Sequence, residues 1–337
     1  MDEKHRIVRL IGKGGFGTVY LCEDKLTDES FAVKVIPKCK ISTRVKQDRL
    51  ATEREILATI NNPFLNKSVR FEEDDEEVRF ILEYIDGFPL HKCIWGYNDG
   101  TGFPESVARY FAAQIVLAVE ALHSQGYMHR DVKSGNVLVS RATGNVTLID
   151  FGMAKRIKDR TSSLCGTDYI MAPEIFSGYS YGFAADWWSV GVVIFEMICG
   201  IPPWPYQYSG DRFRKIRQVS IGIEGGSHNL KTWQNLSIDA KNLLSQLLKT
   251  DPSHRLGFAG ANQIKAHPWF KEIDWNCLEQ GETRASDIET LFSIDRDYRD
   301  RSPPVPIWRQ ASEWEEQCVS SAESIDAEMN EKYFSDF

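Results

Sequence analysis

The sequence predicts an α+β chain of two unequal lobes, rich in strands toward the N-terminal end and mostly helical beyond it. Three observations carry this reading. Residues 7–36 hold a glycine-rich turn set among apolar, β-branched runs. The strongest apolar helical stretches come later, at residues 105–125 and 190–201. A chain of 337 residues with 42% hydrophobic content can bury a substantial core, and this length favours about two domains.

Residues 7–20 read apolar, then glycine-rich, then β-branched, which predicts strand, turn and strand. The turn is Gly12-Lys13-Gly14-Gly15-Phe16-Gly17, followed by Val19. Glycines let backbone amides approach a phosphate closely, because no Cβ intervenes. A dinucleotide fold would need a helix straight after such a turn. Here a strand follows at residues 18–22, and a third at residues 31–36 contains Ala32 and Lys34. Residues 42–60 are helical in pattern, with Leu50, Ile56, Leu57 and Ile60 on one face and Arg and Glu on the other. The six acids at 72–77 read as a solvated hairpin turn. Residues 80–85 (FILEYI) form a strand that leaves the small lobe, and Asp86-Gly87 begins the connection onward. A glycine-rich loop at residues 95–104 gives way to the helix at 105–125.

The chain is organised around residues 129–152. A charged turn (HRDVKSGN) is followed by an apolar run at 137–139, a Gly144-Asn145 turn and a second apolar run at 146–149 that ends in Asp150. Two short strands joined by a tight turn would hold Asp131 and Asn136 on the entry loop and Asp150 at the exit. Convergent carboxylates and an amide suit a hard divalent cation, above all magnesium carried by a nucleotide phosphate.

Composition narrows the setting. A net charge of -8 and a pI near 5.5 argue against nucleic-acid binding through bulk electrostatics. The seven cysteines are scattered, odd in number and free of CxxC spacing, as expected of reduced thiols in a cytosolic or nuclear protein. The N-terminal residues show no apolar signal core and no glycine for myristoylation. The run at 190–201 contains Glu196 and is too short for a membrane span, so it predicts a buried helix.

HRDVKSGN followed by Asp150-Phe151-Gly152 resembles the catalytic and metal-binding loops of the protein kinases. The resemblance covers nearly the whole chain, with the tail matched least well. It implies a bilobal kinase fold: a small antiparallel β lobe with one main helix at residues 1–85, a larger mostly helical lobe at 86–275, and a C-terminal tail at 276–337. In that family Lys34 holds the α and β phosphates and pairs with Glu53, nineteen positions on. Gly12, Gly14, Phe16 and Gly17 cover the nucleotide. Val19, Ala32 and Leu138 pack on the adenine, Leu82 limits the depth behind it, and the backbone at Glu83 and Ile85 meets its edge. Asp131 would accept or orient the proton of the substrate hydroxyl, and Lys133 would steady the transferred phosphate. Asn136 and Asp150 would hold two magnesium ions, and Thr167 would contact Asp131 and Lys133. Asp186 would cap the catalytic-loop backbone, and Arg255 would pair with Glu174.

Residues 150–174 resemble an activation segment ending in Ala172-Pro173-Glu174. Ser163 falls thirteen residues after Asp150, at the place of the activating phosphate in the cyclic-AMP-dependent group. Arg130, Lys155 and Arg49 are the cations expected to receive that phosphate. Thr161 and Ser162 stay open as alternative sites. The segment 302–306 (SPPVP) suits an extended path along a surface. The terminal Phe334 and Phe337 resemble the hydrophobic motif of the AGC group, whose rings dock on the small lobe. The resemblance thus implies a monomeric, MgATP-dependent serine/threonine kinase of AGC type, most similar to the cyclic-AMP-dependent catalytic subunits. Its implied partners are protein substrates and an upstream activating kinase. A kinase-fold scaffold is the other reading that the residues allow.

Two departures bear on substrate. Positions where the cyclic-AMP-dependent group carries acids that read arginines hold Pro89 and Gly135, while a third acid is matched by Glu196. The segment after Thr167 reads Asp168-Tyr169-Ile170-Met171, which also alters the substrate-facing surface. A weakened preference for arginine is expected, and the same departures remove contacts that a cyclic-nucleotide-dependent regulatory subunit would use.

Overall fold

The alternating N-terminal runs become three antiparallel strands, β1 (His5–Lys13), β2 (Thr18–Asp24) and β3 (Ser30–Pro37). The computed structural model describes residues 5–14, 17–97, 100–176, 178–203 and 231–281. Phe16, the proline-rich segment 302–306, Phe334 and Phe337 lie outside the described residues. Strands β4 (Ser68–Glu73) and β5 (Glu77–Glu83) complete a five-stranded sheet in the order β1-β2-β3-β5-β4. The acid run does form the β4–β5 turn. Asp74 Oδ1 accepts from the amides of Glu76 and Glu77, both at 2.9 Å, and Arg79 pairs with Asp74 and Glu77. The strand predicted to reach residue 85 stops at Glu83, leaving residues 84–86 as the link between the lobes.

Helix α1 (Arg44–Thr59) starts where Thr43 Oγ1 accepts from the Lys46 amide, and it buries Glu53, Ile56 and Leu57. Burying a glutamate among aliphatic residues is costly without a partner, so its position already announces one. On the opposite face of the sheet Cys22, Phe31, Val33 and Ile81 make a small cluster of their own.

The large lobe is built on α3 (Glu105–Ser124) and α5 (Ala184–Cys199), with the short α4 (Pro173–Phe176) between them in the chain. Every residue of α5 is buried, as expected of a helix that is apolar all round. It begins at Ala184, six residues before the apolar run at 190–201 that predicted it. It ends at Gly200, whose φ of 75° places it in the left-handed region and whose amide donates to Glu196 O. A Cβ on Gly200 would come within 1.9 Å of Gly100 O, so glycine is required at this contact. The Phe103 amide donates to Met197 O at 2.6 Å, which fixes the following loop against the same helix end.

The stretch expected to be loop from residue 95 is partly helical. Helix α2 (Leu90–Gly96) takes in Trp95 and Gly96 and buries Leu90 and Ile94, four apart on one face. The predicted hairpin forms from β8 (Val137–Ser140) and β9 (Val146–Leu148), with β6 (Gly87–Pro89) added on the β8 side. A further two-stranded pair joins β7 (Tyr127–Met128) to β10 (Lys155–Arg156). Among the described residues no helix is long and apolar enough to cross a membrane.

Candidate active site

The catalytic-loop backbone hangs from one buried carboxylate. Asp186 accepts from the His129 amide at 2.9 Å and the Arg130 amide at 2.8 Å, and His123 Nε2 lies 2.8 Å from its Oδ2. Burial alone would raise the pKa of Asp186, but His123, His129 and the Arg130 amide bring it below the ordinary carboxylate value. Arg130 has a φ of 66°, a left-handed conformation that costs a non-glycine residue roughly 1 kcal/mol or more. The bonds to Asp186 hold it there.

Four side chains then converge. Asp131 Oδ1 accepts from the Thr167 amide (3.0 Å) and hydroxyl (2.6 Å), while Oδ2 accepts from Asn136 Nδ2 (2.9 Å) and Lys133 Nζ (3.1 Å). Lys133 Nζ also donates to Thr167 Oγ1 at 2.7 Å. Asp131 is thereby oriented from three directions.

Across the cleft Lys34 Nζ reaches Glu53 Oε1 at 2.7 Å and Asp150 Oδ1 at 2.9 Å. Burial works against the Lys34 ammonium, but Asp150 and Glu53 more than offset it and hold its pKa above the usual value. Lys34 in turn draws Asp150 down to about 2, against the opposing effect of burial. Burial raises Glu53 despite the same ammonium. Asp150 also has a left-handed backbone, with φ 62°, and accepts from the Gly152 amide at 3.3 Å.

Ionised Asp150 and the amide oxygen of Asn136, whose Nδ2 is committed to Asp131, form an all-oxygen donor set that fits magnesium. Among the described residues no group of three or more His, Cys, Asp or Glu gathers to hold a metal. The rest of the coordination would therefore fall to phosphate and water, as is usual for this ion.

The predicted nucleotide wall is built from β1, β2, β3 and β5. Gly12 lies in β1 opposite Val19, Gly14 precedes Gly17 on the β1–β2 turn, and a Cβ on Gly17 would lie 2.4 Å from Val35 O. Ala32 and Leu82 are buried cross-strand partners, whereas Val19 and Leu138 are half-buried. The Glu83 amide already donates to Lys67 O at 3.0 Å, which leaves its carbonyl to offer, and Ile85 is half-buried in the link that follows.

The three cations expected at Ser163 do not all meet it. Arg130 donates to Ser163 Oγ at 2.6 Å, with its Nε tied to Met153 O. Lys155 instead donates to Thr161 Oγ1 at 2.9 Å, and that oxygen lies 3.2 Å from Ser163 Oγ. Arg49, half-buried on α1, is not among the hydrogen-bond partners of Ser163. Thr161 is buried and paired by backbone to Tyr181, so its hydroxyl is engaged where that of Ser163 faces a guanidinium. Tyr181, which hydrogen-bonds Ser163 O, carries no local sequence signal that would mark it. His123 likewise meets Asp186 only through tertiary packing.

Beyond the cleft, Arg255 and Glu174 form a buried two-bond pair at 2.7 and 2.9 Å. Between α1 and the β4–β5 hairpin lies a groove of about 250 Å³ lined by Leu50, Ala51, Arg54, Phe71 and Phe80. Glu196 on α5 is 2% exposed, and burial pushes its carboxyl up to about 7. Between pH 4.5 and about 7 the folded chain keeps this proton while the unfolded chain loses it. The stability it contributes is therefore present below 4.5 and lost as pH rises through about 7. Glu196→Gln should match the native chain near pH 4.5 and exceed it above pH 7 by about 3 kcal/mol. Thermal midpoints of both proteins across that range check this, and a difference independent of pH would contradict it.

The protein kinase domain profile matches residues 5–270. The chain is 38% identical over 288 residues to the Arabidopsis thaliana serine/threonine-protein kinase AtPK2/AtPK19, covering 84% of this chain and 58% of that one. It is 38% identical over 279 residues to the Dictyostelium discoideum RAC family serine/threonine-protein kinase homolog, covering 81% and 59%. To the cAMP-dependent protein kinase catalytic subunit of the same organism it is 35% identical over 275 residues, covering 81% and 40%. The chain thus spans about half the length of these curated relatives. With the profile matched from the first strand through the catalytic loop to the end of the large lobe, the chain belongs to the protein kinase domain family.

Proposed function

We propose that the chain is a serine/threonine protein kinase of AGC type that transfers the γ-phosphoryl group of MgATP to protein hydroxyls. The observation that carries this is the position of Asp131, held by Thr167, Asn136 and Lys133, across the cleft from Lys34 and Asp150. Magnesium would neutralise phosphate charge at Asp150 and Asn136. Asp131 orients the substrate hydroxyl and takes its proton at a carboxylate oxygen, while Lys133 lies against the incoming phosphoryl group. Lys34, kept charged and aimed by Glu53, pins the nucleotide. Thr167, tied to both Asp131 and Lys133, supports a serine/threonine rather than a tyrosine acceptor. Transfer of labelled γ-phosphate to a generic protein substrate, followed by phosphoamino-acid analysis, tests the reading. Label on tyrosine alone, or none, would overturn it.

Control is proposed to come from two segments of the chain itself. Phosphate on Ser163 would meet Arg130 directly and Lys155 by a small shift from Thr161, tying the activation segment to the catalytic loop. Ser163→Ala is expected to lower kcat by about tenfold or more relative to the phosphorylated enzyme, the worth of one charge-assisted hydrogen bond. Equal steady-state rates would remove Ser163 from the scheme. Phe334 and Phe337 are proposed to fill the groove beside α1 and steady Glu53. With Pro89 and Gly135 lacking the acids of the cyclic-AMP-dependent group, an arginine pair upstream of the acceptor should be weakly selected. The domain limits at 85/86 and 275/276, and a cytosolic or nuclear site of action, belong to the same proposal.

A further inference from the structure

Helix α1 carries Glu53, whose bond to Lys34 Nζ at 2.7 Å aims the ammonium into the cleft. The angle of α1 therefore matters to the nucleotide. The stretch just beyond its C-terminal end is pinned to the large lobe, with the Leu148 amide donating to Phe64 O at 2.8 Å and the Asn66 amide to Leu148 O at 3.1 Å. A rod held at one end can still swing about it. A second contact farther along is needed to set the angle, and Glu55 supplies one.

Glu55 lies two residues after Glu53, on a different face of the helix. It receives donors from two separate segments of the large lobe. The Tyr127 hydroxyl of β7 donates to its carboxylate, and Arg156 Nη1 of β10 lies 3.4 Å from Oε1. These two residues are partners across the β7–β10 pair, and the guanidinium sits 5.5 Å over the tyrosine ring. Strand β7 runs directly into His129 and the catalytic loop, while β10 follows Asp150-Phe151-Gly152. One carboxylate thus joins the helix of Glu53 to the segments that carry Asp131 and Asp150.

The two donors are not equal. The Arg156 side chain is 66% exposed, and an exposed ion pair contributes little. Tyr127 is 3% exposed, and a buried hydroxyl deprived of its acceptor is costly. Burial and then Glu55 push its pKa up to about 12, so at neutral pH it keeps the proton that it donates. Swinging α1 away would withdraw Glu55 and strand that hydroxyl.

We propose that Tyr127 is a positioning residue that acts through Glu55, holding α1 at the angle from which Glu53 aims Lys34 at the nucleotide. Arg156 covers the contact and adds a smaller, salt-sensitive share. This role rests on the kinase reading and names what keeps that site assembled. Without the contact α1 samples a displaced position, and affinity for MgATP falls in proportion to the fraction of molecules that stay competent. Bound nucleotide restores the aligned state, so the rate at saturation is kept.

The test is titration calorimetry with MgATP, alongside steady-state kinetics, on the full native chain, Tyr127→Phe, Glu55→Ala, Glu55→Gln and the double variant Tyr127→Phe with Glu55→Ala. Tyr127→Phe and Glu55→Ala should each raise the Kd and the KM for ATP by about five- to tenfold, the worth of one hydrogen bond to a half-exposed charged group. The kcat should stay within about twofold. The double variant should match either single one, because both remove the same bond. Glu55→Gln should recover most of the affinity, since its amide oxygen still accepts from the phenol. A lowered kcat with unchanged KM would overturn the role, as would single effects that multiply in the double variant, or a native Kd in Tyr127→Phe. A native chain that binds MgATP yet transfers no phosphate overturns the kinase reading alone, because the Kd values still judge the contact. A native chain that does not bind MgATP overturns both.

Discussion

Asp131→Asn is expected to lower phosphate transfer to protein by roughly 10²- to 10⁴-fold, the usual contribution of a positioned proton acceptor. The geometry explains why an isosteric change is so damaging. Both Asp131 oxygens accept hydrogen bonds, Oδ1 from Thr167 and Oδ2 from Asn136 and Lys133. An asparagine must turn its NH₂ toward one of these sets, so a donor meets a donor whichever way it rotates. Turned one way it disturbs Thr167; turned the other it disturbs Asn136 and, with it, a magnesium position. The loss should fall on kcat with the KM for ATP changed much less, because Lys34 and the glycine turn lie on the other side of the cleft. Steady-state kinetics on the purified variant check this. A kcat within about threefold of the native chain would remove Asp131 from the role proposed for it.

The largest expected effect on stability is at Glu174. Arg255 is fully buried and uses its whole fork, with Nη1 to Glu174 and Ala184 O, Nη2 to Glu174 and Thr250 O, and Nε to Lys249 O. Its guanidinium also lies 5.1 Å over the Trp188 ring. Glu174→Ala would strand that charge in the interior, at about 3 to 5 kcal/mol. For a domain of this size the thermal midpoint should drop by about 10 °C. Removing both charges together, with Glu174→Gln and Arg255→Met, should cost less than Glu174→Ala alone, because no unpaired ion remains. Differential scanning calorimetry on the three proteins decides it. A double variant less stable than Glu174→Ala would show that packing, rather than pairing, dominates at this contact.

The parts of this molecule that were legible in the sequence are those whose physics is local. Glycines in a turn, a β-branched strand around Lys34, the Gly144-Asn145 hairpin and the apolar run of α5 each declare an element within a few residues. The bilobal kinase fold follows from their order. Partner choice is another matter, because it depends on groups that come from distant parts of the chain. Lys155 has the charge to meet Ser163, yet the chain folds so that Thr161 takes its ammonium. Helix α2 was hidden because Gly96 and the glycines after it outweighed the Leu90–Ile94 spacing in a short window. Glu196 reads as an ordinary acid in an apolar helix. Only packing shows that no counter-ion meets it among the described residues. The left-handed backbone of Arg130 is equally silent, since an arginine would normally avoid it, whereas Asp150 is of a residue type that enters that region more readily.

The left-handed Arg130 backbone ties the catalytic loop to the packing around it. An arginine seldom adopts this conformation unless its surroundings hold it there. Arg130 is kept in place by Asp186, which reaches it only when α5 has docked. The geometry of the catalytic loop therefore holds only while α5 is docked. A copy in which α5 has come away would lose the alignment of Asp131 and, with it, the proposed transfer.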